Sequence, residues 1–238
     1  MKKIKTLFQS KNQQHRSVTK SEDEYYKDLF IHNPQWNKPV PNPEELLRWQ
    51  VIEKFIYYIQ GLRQGSLVEG KMNILDLGCG RGWLSNLLAS YGELLAVEPV
   101  AEVAEYAKKL FPKLNIECGN ADTLLAKGMA GNFQLLVCSE VIEHILDNEK
   151  NTFVSKIDNL VSRGGFVIIT TPRKEVQADW MKYSNPNQPV EEWIDEEALK
   201  NLFTSQGFSI VDLKRYAAKP TPQGPDIEIY QLCLFQKQ

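Results

Sequence analysis

Short apolar runs alternate with segments of helical period along most of this chain. Runs of four to six apolar residues that end at polar or glycine-rich turns are typical of buried strands. Apolar positions spaced three and four apart predict amphipathic helices between them. Strands that alternate with helices favour an α/β fold with a parallel sheet covered on both faces. The predicted strands are 73–75, 94–98, 115–118, 133–138, 165–170, 208–216 and 227–235, and the predicted helices are 83–91, 100–111, 122–129, 148–162 and 195–206.

The first 65 residues follow a different pattern. Residues 1–24 are polar and predict a mobile terminus. Asn42 followed by Pro43 predicts a helix start, because an amide cap and a first-turn proline suit that position. We therefore expect an N-terminal helical cap over 25–65, followed by the main domain over 66–238. The helices predicted within the cap are 23–30 and 43–60, with a proline-rich extended segment between them.

Composition limits the possible partners. The 238 residues are 42% hydrophobic, enough for one sizeable core. The net charge is −2 and no long basic run follows the polar start, so a nucleic-acid partner is not favoured. No apolar stretch reaches 18 residues, which predicts neither a membrane span nor a signal peptide. The four cysteines lack metal-ligand spacing and favour a cytoplasmic protein.

The most specific motif is the glycine-rich turn that follows the first predicted strand. It reads Asp-Leu-Gly-Cys-Gly-Arg-Gly and runs from Asp76 to Gly82. Glycine permits positive φ and lets the backbone approach a ligand closely, and the first turn after a strand is a common ligand site. A dinucleotide fingerprint needs a third glycine where Trp83 stands, which counts against NAD.

With the acids downstream, this motif resembles the class I S-adenosylmethionine (SAM) methyltransferases over roughly 70–172. The resemblance implies that Asp76 lies near the methionine ammonium of SAM. It implies that Glu98, at the end of the second strand, accepts the ribose hydroxyls. Asp122 would bind the adenine amino group, and it also suits a helix N-cap. The residues predicted to contact SAM are Arg48, Asp76, Gly78, Cys79, Gly80, Gly82, Glu98, Pro99, Ala121, Asp122, Ser139 and Glu140.

The same resemblance implies a fold. It is a Rossmann-like seven-stranded sheet of order 3-2-1-4-5-7-6 whose last strand is antiparallel, with helices on both faces. Arg48, inside the predicted cap helix, would meet the SAM carboxylate as an arginine does in the ubiquinone-biosynthesis enzymes. The alternative for Arg48 is a surface arginine.

The sequence Glu140-Val-Ile-Glu143-His144 follows the fourth strand and carries the candidate chemistry. It is similar to the ubiquinone-biosynthesis O-methyltransferases and the small-RNA 3′-end 2′-O-methyltransferases, in which it holds a divalent cation. On a helix, these three side chains would share a face and suit Mg²⁺ or Mn²⁺. The RNA enzymes use a further downstream histidine that this chain lacks. In the alternative, the glutamates are structural and His144 is a general base; Glu140 is the second catalytic candidate.

Two segments are expected to cover the acceptor site. One is the N-terminal segment with Tyr26 and Trp36, and the other is a substrate-lid insertion over 174–194 that has no regular structure. The alternative is that these aromatic residues only pack the cap onto the sheet. The predicted acceptor-contacting residues are Tyr26, Trp36, Arg173, Trp180 and Tyr183.

These patterns predict a SAM-dependent methyltransferase acting on a small molecule. A hydroxyl acceptor on a natural product, sugar or quinone-like intermediate is favoured, since His144 can remove its proton. Methylation of a nitrogen and a catalytically silent SAM-binding scaffold are the alternatives.

Overall fold

The computed structural model describes residues 21–65 and 70–238. Its centre is a seven-stranded sheet of order β3-β2-β1-β4-β5-β7-β6. The strand β7 pairs antiparallel with both β5 and β6, whereas the other pairs are parallel. The predicted strand order is therefore confirmed. The strands are β1 Met72–Leu77, β2 Gly92–Glu98, β3 Ile116–Cys118, β4 Phe133–Ser139, β5 Val161–Pro172, β6 Phe208–Ala218 and β7 Ile227–Lys237.

Helices cover both faces of this sheet. A five-residue π-helix, Asp28–His32, follows the first helix directly, and 3₁₀ turns lie at Ile142–His144 and Lys174–Val176. The α-helices are α1 Glu22–Lys27, α2 Pro43–Gly65, α3 Trp83–Leu88, α4 Ala101–Leu110, α5 Ala121–Ala126, α6 Lys150–Leu160, α7 Gln177–Trp180 and α8 Glu196–Thr204. None of the helices built from the described residues is both long and apolar enough to cross a membrane.

Several predicted boundaries need correction. The helix α2 runs about one turn beyond the predicted end at 60, and β5 begins earlier than the predicted 165–170. The prediction of Asp122 as an N-cap was wrong, because the Asn120 side chain accepts from the Thr123 N–H and α5 begins at Ala121. The segment 174–194 was predicted to be irregular, yet it includes a 3₁₀ turn and the helix α7. The predicted mobile stretch 1–24 lies largely outside the described residues.

Parallel register brings the functional ends of the strands together. Asp76 of β1 lies opposite Ala96 of β2 and Val137 of β4. Glu98 and Ser139 are the last residues of β2 and β4, at the same carboxyl edge of the sheet. Ligands in open α/β sheets bind beyond this edge, so the topology gathers the predicted site residues there.

Two apolar layers fill the space between sheet and helices. Alternate side chains of β1 point to opposite layers, with Ile74 in one and Leu75 in the other. The fully buried Ile52, Ile56 and Ile59 of α2 belong to the layer of Ile74. The predicted cap is therefore continuous with the core through α2. The opposite layer is built by α5, α6 and α8.

The N-terminal segment ahead of α2 crosses the carboxyl edge of the sheet. The buried guanidinium of Arg81 holds it there, since Nε donates to the Lys38 carbonyl oxygen at 2.6 Å. The Tyr106 hydroxyl of α4 donates to the Asn37 carbonyl oxygen at 2.7 Å. These contacts position the aromatic residues of α1 and the π-helix over the glycine-rich turn.

Candidate functional site

A cavity of about 780 Å³ opens at the carboxyl edge of the sheet. Its volume falls in the range of about 300–1,000 Å³ that is usual for small-molecule sites. Strand ends form its floor, and the N-terminal segment and residues 184–194, here called the strap, form its cover. The predicted site residues that line it are Tyr26, Trp36, Arg48, Asp76, Gly78, Cys79, Gly80, Glu98, Pro99, Ser139, Glu140, Glu143, His144 and Trp180.

The glycines of the turn are required by its geometry. Gly78 has φ 80°, and a Cβ built there would lie 2.5 Å from Cγ2 of Val141. Gly80 has φ 53°, and a Cβ there would meet the Phe30 ring at 3.0 Å. Only glycine combines this backbone conformation with the close approach of a neighbouring side chain. The last glycine of the turn, Gly82, precedes α3 with φ 84° and lies outside the cavity lining.

Asp76 is a buried carboxyl group that faces the cavity. It is 1% exposed, and its Oδ2 accepts a hydrogen bond from the Ser85 hydroxyl at 2.5 Å. Burial raises the pKa of Asp76 to about 7, and the Ser85 hydrogen bond opposes the shift. No cationic side chain among the described residues contributes to that shift. The arrangement therefore suits a ligand that carries positive charge.

Glu98 joins the turn to the second strand. Its Oε2 accepts from the Gly80 N–H at 2.9 Å, and its Oε1 accepts from the Val100 N–H at 3.0 Å. Burial raises the pKa of Glu98 to about 7, and the two backbone hydrogen bonds oppose this. Each carboxylate oxygen can accept more than one hydrogen bond, so Glu98 retains capacity for hydroxyl groups of a ligand.

Glu140 and Arg48 form an ion pair in the cavity wall. Nη2 of Arg48 lies 3.3 Å from Oε2 of Glu140, and the Thr170 hydroxyl donates to Oε1 at 2.9 Å. The Arg48 guanidinium also lies 5.0 Å from the centre of the Tyr230 ring, and its Nε donates to the Tyr216 hydroxyl at 3.3 Å. Arg48 is thus a buried cation in the wall, and the alternative of a surface arginine is wrong.

Glu143 and His144 line the same cavity. The Thr171 hydroxyl donates to Oε2 of the buried Glu143 at 2.9 Å, and burial raises the pKa of that carboxyl to about 7. Nδ1 of His144 lies 3.0 Å from the Val190 carbonyl oxygen. A carbonyl only accepts hydrogen bonds, so Nδ1 carries the proton of the neutral ring. Nε2 is therefore the basic nitrogen, 3.7 Å from Oε1 of Glu143.

The structure does not arrange Glu140, Glu143 and His144 as metal ligands. Glu140 has φ 56° and precedes the 3₁₀ turn Ile142–His144, so the three side chains do not share the face of one helix. Oε2 of Glu140 pairs with Arg48 instead, and Nδ1 of His144 is held by the Val190 carbonyl oxygen. Within residues 21–65 and 70–238, no group of three or more His, Cys, Asp or Glu residues has a metal-binding arrangement.

Carboxyl groups outnumber cationic groups in the cavity lining. The permanently charged cations are Arg48, Arg81 and Lys219, and the first two are occupied by buried ion pairs. The lining carboxyl groups are Glu22, Asp23, Glu44, Glu45, Asp76, Glu98, Glu140, Glu143 and Glu191.

The pairing of Arg81 with Glu45 is a feature that the sequence analysis missed. Nη1 and Nη2 of Arg81 lie 2.7 and 2.6 Å from the two carboxylate oxygens of Glu45. Glu45 also accepts from the Asn42 N–H at 2.8 Å, while the Asn42 side chain caps the Glu45 N–H. A glutamate three residues after an asparagine cap is a recognisable signature of this reciprocal contact. Its partner in the glycine-rich turn is 36 positions away in sequence and was not predictable from spacing.

Five predicted site residues lie outside the cavity lining. The exposed Asp122 pairs with Lys156 at 2.7 Å, and the Arg173 guanidinium donates to the Glu228 carbonyl oxygen at 3.0 Å. Tyr183 is half exposed. The other two residues are Gly82 and Ala121.

The fold and site together define a class of protein. The strand order, the glycine-rich turn and the acidic strand ends are those expected of the class I SAM methyltransferase fold. A SAM-dependent methyltransferase from Methanosarcina mazei is similar with a TM-score of 0.60 and 18% identity, covering 71% of this chain and 94% of that one. Magnesium protoporphyrin IX methyltransferase from Synechocystis PCC 6803, with bound SAM, has a TM-score of 0.61 and 12% identity, covering 93% and 99%. These similarities establish the fold.

The family follows from the sequence itself. Residues 60–213, more than half of the chain, match the family described as "Methyltransferase domain". The chain therefore belongs to this methyltransferase family. A curated relative, the ubiquinone biosynthesis O-methyltransferase of Caulobacter sp. (strain K31), is 30% identical over 112 residues, which are 45% of this chain and 43% of the relative. The chain spans about half the length of the curated relatives it matches.

Proposed function

We propose that the protein transfers a methyl group from SAM to a hydroxyl group of a small molecule. The observation that carries the proposal is one cavity that holds both Asp76, a buried carboxyl without a cationic partner, and the basic Nε2 of His144. The first suits a cationic donor, and the second suits an acceptor that must lose a proton.

The donor end of the cavity has groups that fit each part of SAM. Asp76 would face the methionine ammonium, and Glu98 would accept the ribose hydroxyls. Gly78 and Gly80 form the turn that lines this end, with Val141 and Phe30 packed where a Cβ would stand. Arg48 would offer a charge for the SAM carboxylate, although Glu140 shares it at 3.3 Å. The predicted adenine contact at Asp122 would need the ligand to reach beyond the cavity lining.

The acceptor end is organised around His144. When bound, SAM supplies a methyl group on a positively charged sulfur. His144 Nε2 would take the proton of the acceptor hydroxyl, whose oxygen would bond to the methyl carbon as the bond from that carbon to sulfur breaks and its electron pair stays on the sulfur. The Val190 carbonyl oxygen keeps the Nδ1 proton in place, so Nε2 remains the accepting atom. The Tyr26 ring, 5.7 Å from the imidazole ring, limits its rotation and covers it from water.

The cover of the cavity has two parts that are tied to each other. The Tyr25 hydroxyl of α1 donates to the Pro186 carbonyl oxygen of the strap at 3.1 Å. Water exclusion and alignment are what a displacement at a reactive methyl group requires from a protein. The lid role that we assign to this region thus combines Tyr26 and Trp36 with the strap, and the buried Trp180 also lines the cavity.

A hydroxyl acceptor is supported by the relatives as well as by His144. Curated relatives carry the name ubiquinone biosynthesis O-methyltransferase. The free cysteines Cys79, Cys118, Cys138 and Cys233 are in keeping with the reducing cytoplasm that we propose as its compartment.

A methyl-transfer assay tests this function. Radiolabelled SAM is incubated with the protein and a panel of phenols, catechols and sugars, and label transfer is counted against a His144→Asn control. We expect transfer to at least one hydroxyl compound by the wild type and a large loss in the variant. Transfer only to nitrogen compounds, or equal transfer by His144→Asn, would contradict the proposed chemistry.

A further inference from the structure

Glu191 of the strap has a carboxylate oxygen with no protein partner. Its Oε1 accepts a hydrogen bond from the indole N–H of Trp193, which fixes the direction of the side chain. Its Oε2 is buried and has no hydrogen-bond partner among the described residues. Almost all buried polar atoms in proteins are hydrogen-bonded, so an isolated carboxylate oxygen points to a missing partner.

The position of this oxygen is informative. Glu191 lines the same cavity as the glycine-rich turn and His144. It is close enough to His144, Tyr25 and Tyr26 for electrostatic interaction with each of them. A ligand group that satisfies Glu191 would therefore belong to the molecule next to the basic nitrogen, which is the acceptor.

The charge of the cavity indicates which kind of group this is. Nine carboxyl groups line it, and of the three permanent cations only Lys219 is outside a buried ion pair. Lys219 pairs at 4.0 Å with Asp226, which is not part of the lining. Glu45 and Glu140 are paired with the two arginines, and burial raises the pKa of Asp76, Glu98 and Glu143 to about 7, so the negative charge of the lining grows above that pH. There an anionic acceptor would be repelled, whereas a cation would be drawn in.

The aromatic rings beside Glu191 favour the same group. Tyr25 and Tyr26 meet edge to face with ring centres 5.4 Å apart, and both line the cavity. Aromatic faces attract ammonium groups, and the attraction is stronger when the group is shielded from water. A neutral hydroxyl could satisfy Oε2 as a donor, but it would gain nothing from the surrounding negative charge.

We propose that Glu191 binds an alkylammonium group of the acceptor, so that the substrate class is a hydroxyl compound that also carries an amine. This inference rests on the proposed function, since it assumes that the acceptor occupies the space beside His144. It concerns recognition, and the hydroxyl oxygen remains the atom that takes the methyl group.

Three ligands of one shape test the proposal. Benzylammonium, benzyl alcohol and benzoate share a ring and differ in charge. Each is titrated by calorimetry into protein saturated with S-adenosylhomocysteine, the demethylated product of SAM. We expect benzylammonium to bind about tenfold more tightly than benzyl alcohol, as an added charge–charge contact implies. We expect benzoate to bind most weakly.

Variants of Glu191 test whether its carboxylate causes the preference for benzylammonium over benzyl alcohol. Glu191→Gln keeps an oxygen that can accept from Trp193 but removes the charge, so we expect the tenfold preference to disappear. Glu191→Asp keeps the charge and should retain part of the preference. Glu197→Gln removes an exposed carboxylate of α8 outside the cavity and should leave the preference intact. The first titration, of S-adenosylhomocysteine itself, shows whether each variant is folded.

The outcomes separate this inference from the proposed function. Loss of the preference in Glu191→Gln alone supports an ammonium site at Glu191. Equal binding of the three ligands, absence of benzylammonium binding, or a preference that survives in Glu191→Gln overturns it. If the wild-type protein fails to bind S-adenosylhomocysteine in the first titration, the proposed function fails instead.

Discussion

Nδ1 of His144 lies 3.0 Å from the carbonyl oxygen of Val190, a residue 46 positions later in the chain. The contact joins the turn after β4 to the strap that covers the cavity. A second hydrogen bond joins the same two segments, from the Glu192 N–H to the Glu143 carbonyl oxygen at 2.8 Å. The cover and the candidate base are therefore one structural unit. Ordering of the strap would set the direction of the imidazole ring.

This relationship predicts that a His144 variant loses turnover of the acceptor but keeps its affinity for S-adenosylhomocysteine. His144→Asn retains a donor near the position of Nδ1 but has no basic nitrogen at the position of Nε2. We expect turnover of the acceptor to fall by about 10²- to 10⁴-fold, the usual contribution of a general base. The affinity for S-adenosylhomocysteine should stay within about twofold. A variant with near-normal turnover across pH 6–9 would remove His144 from the chemistry.

The short distance between Gly78 and Val141 predicts that Gly78→Ala destabilises the turn and that a second substitution at Val141 partly restores it. Gly78→Ala places a methyl group 2.5 Å from Val141 Cγ2 and imposes φ 80° on alanine. The comparison is Gly128→Ala, which has φ 77° and no neighbour within 4 Å, so it reports the backbone cost of about 1–2 kcal/mol alone. Chemical denaturation should show a larger loss of unfolding free energy for Gly78→Ala.

The double variant Gly78→Ala, Val141→Ala identifies the cause of that excess. It removes the methyl group of Val141 that clashes, but alanine at position 78 still has to adopt positive φ. The double variant should therefore bind S-adenosylhomocysteine more tightly than the single variant Gly78→Ala. Equal affinities of the single and double variants would mean that the conformation of residue 78, and not the contact with Val141, decides its identity.

The buried pair of Arg81 and Glu45 predicts a strong coupling. Removing one partner of a buried ion pair costs about 3–5 kcal/mol because the other charge is left uncompensated. Glu45→Gln and Arg81→Met should each destabilise the protein by this order, measured by urea denaturation. The double variant should cost less than their sum, because no lone charge remains. Additive losses would show that the two side chains act independently.

The raised pKa values at the donor end predict that ligand affinity depends on pH. Asp76 and Glu98 have pKa values of about 7, so both hold protons in much of the free protein at pH 6. The ligand's ammonium group favours ionised Asp76, so binding below pH 7 releases a proton. Affinity for S-adenosylhomocysteine should rise up to about tenfold per pH unit for each proton released, and level off above pH 7.

Calorimetry in buffers of different ionisation enthalpy measures the proton release directly. Asp76→Asn, which can still accept from the Ser85 hydroxyl, should release fewer protons than the wild type at pH 6. An affinity that is the same at pH 6 and pH 8 would contradict the raised pKa values.

Local patterns in the sequence predicted the sheet and the glycine-rich turn because both depend on near neighbours. Strand periodicity gave the seven strands, and the resemblance supplied their order. The turn at Gly78 and Gly80 was recognisable because positive φ restricts which residue can stand there.

The predictions that failed depend on contacts between distant residues. The i, i+3, i+4 spacing of Glu140, Glu143 and His144 predicted a shared helical face, but Glu140 adopts positive φ and pairs with Arg48. Nothing local to Glu140 indicates that partner, 92 positions earlier in the sequence. The orphan oxygen of Glu191 is equally invisible in sequence, because burial of one atom depends on how the strap folds over the cavity.

The most direct test of the account is a calorimetric titration of S-adenosylhomocysteine into the wild-type protein and Asp76→Asn. The wild type should bind one molecule per chain, with an affinity that Asp76→Asn lowers by tenfold or more, since a buried carboxylate–ammonium contact is lost. NAD, titrated in the same way, should not bind. Absence of binding to the wild type, or equal binding by the Asp76→Asn variant, would contradict the assignment of this cavity as the methyl-donor site.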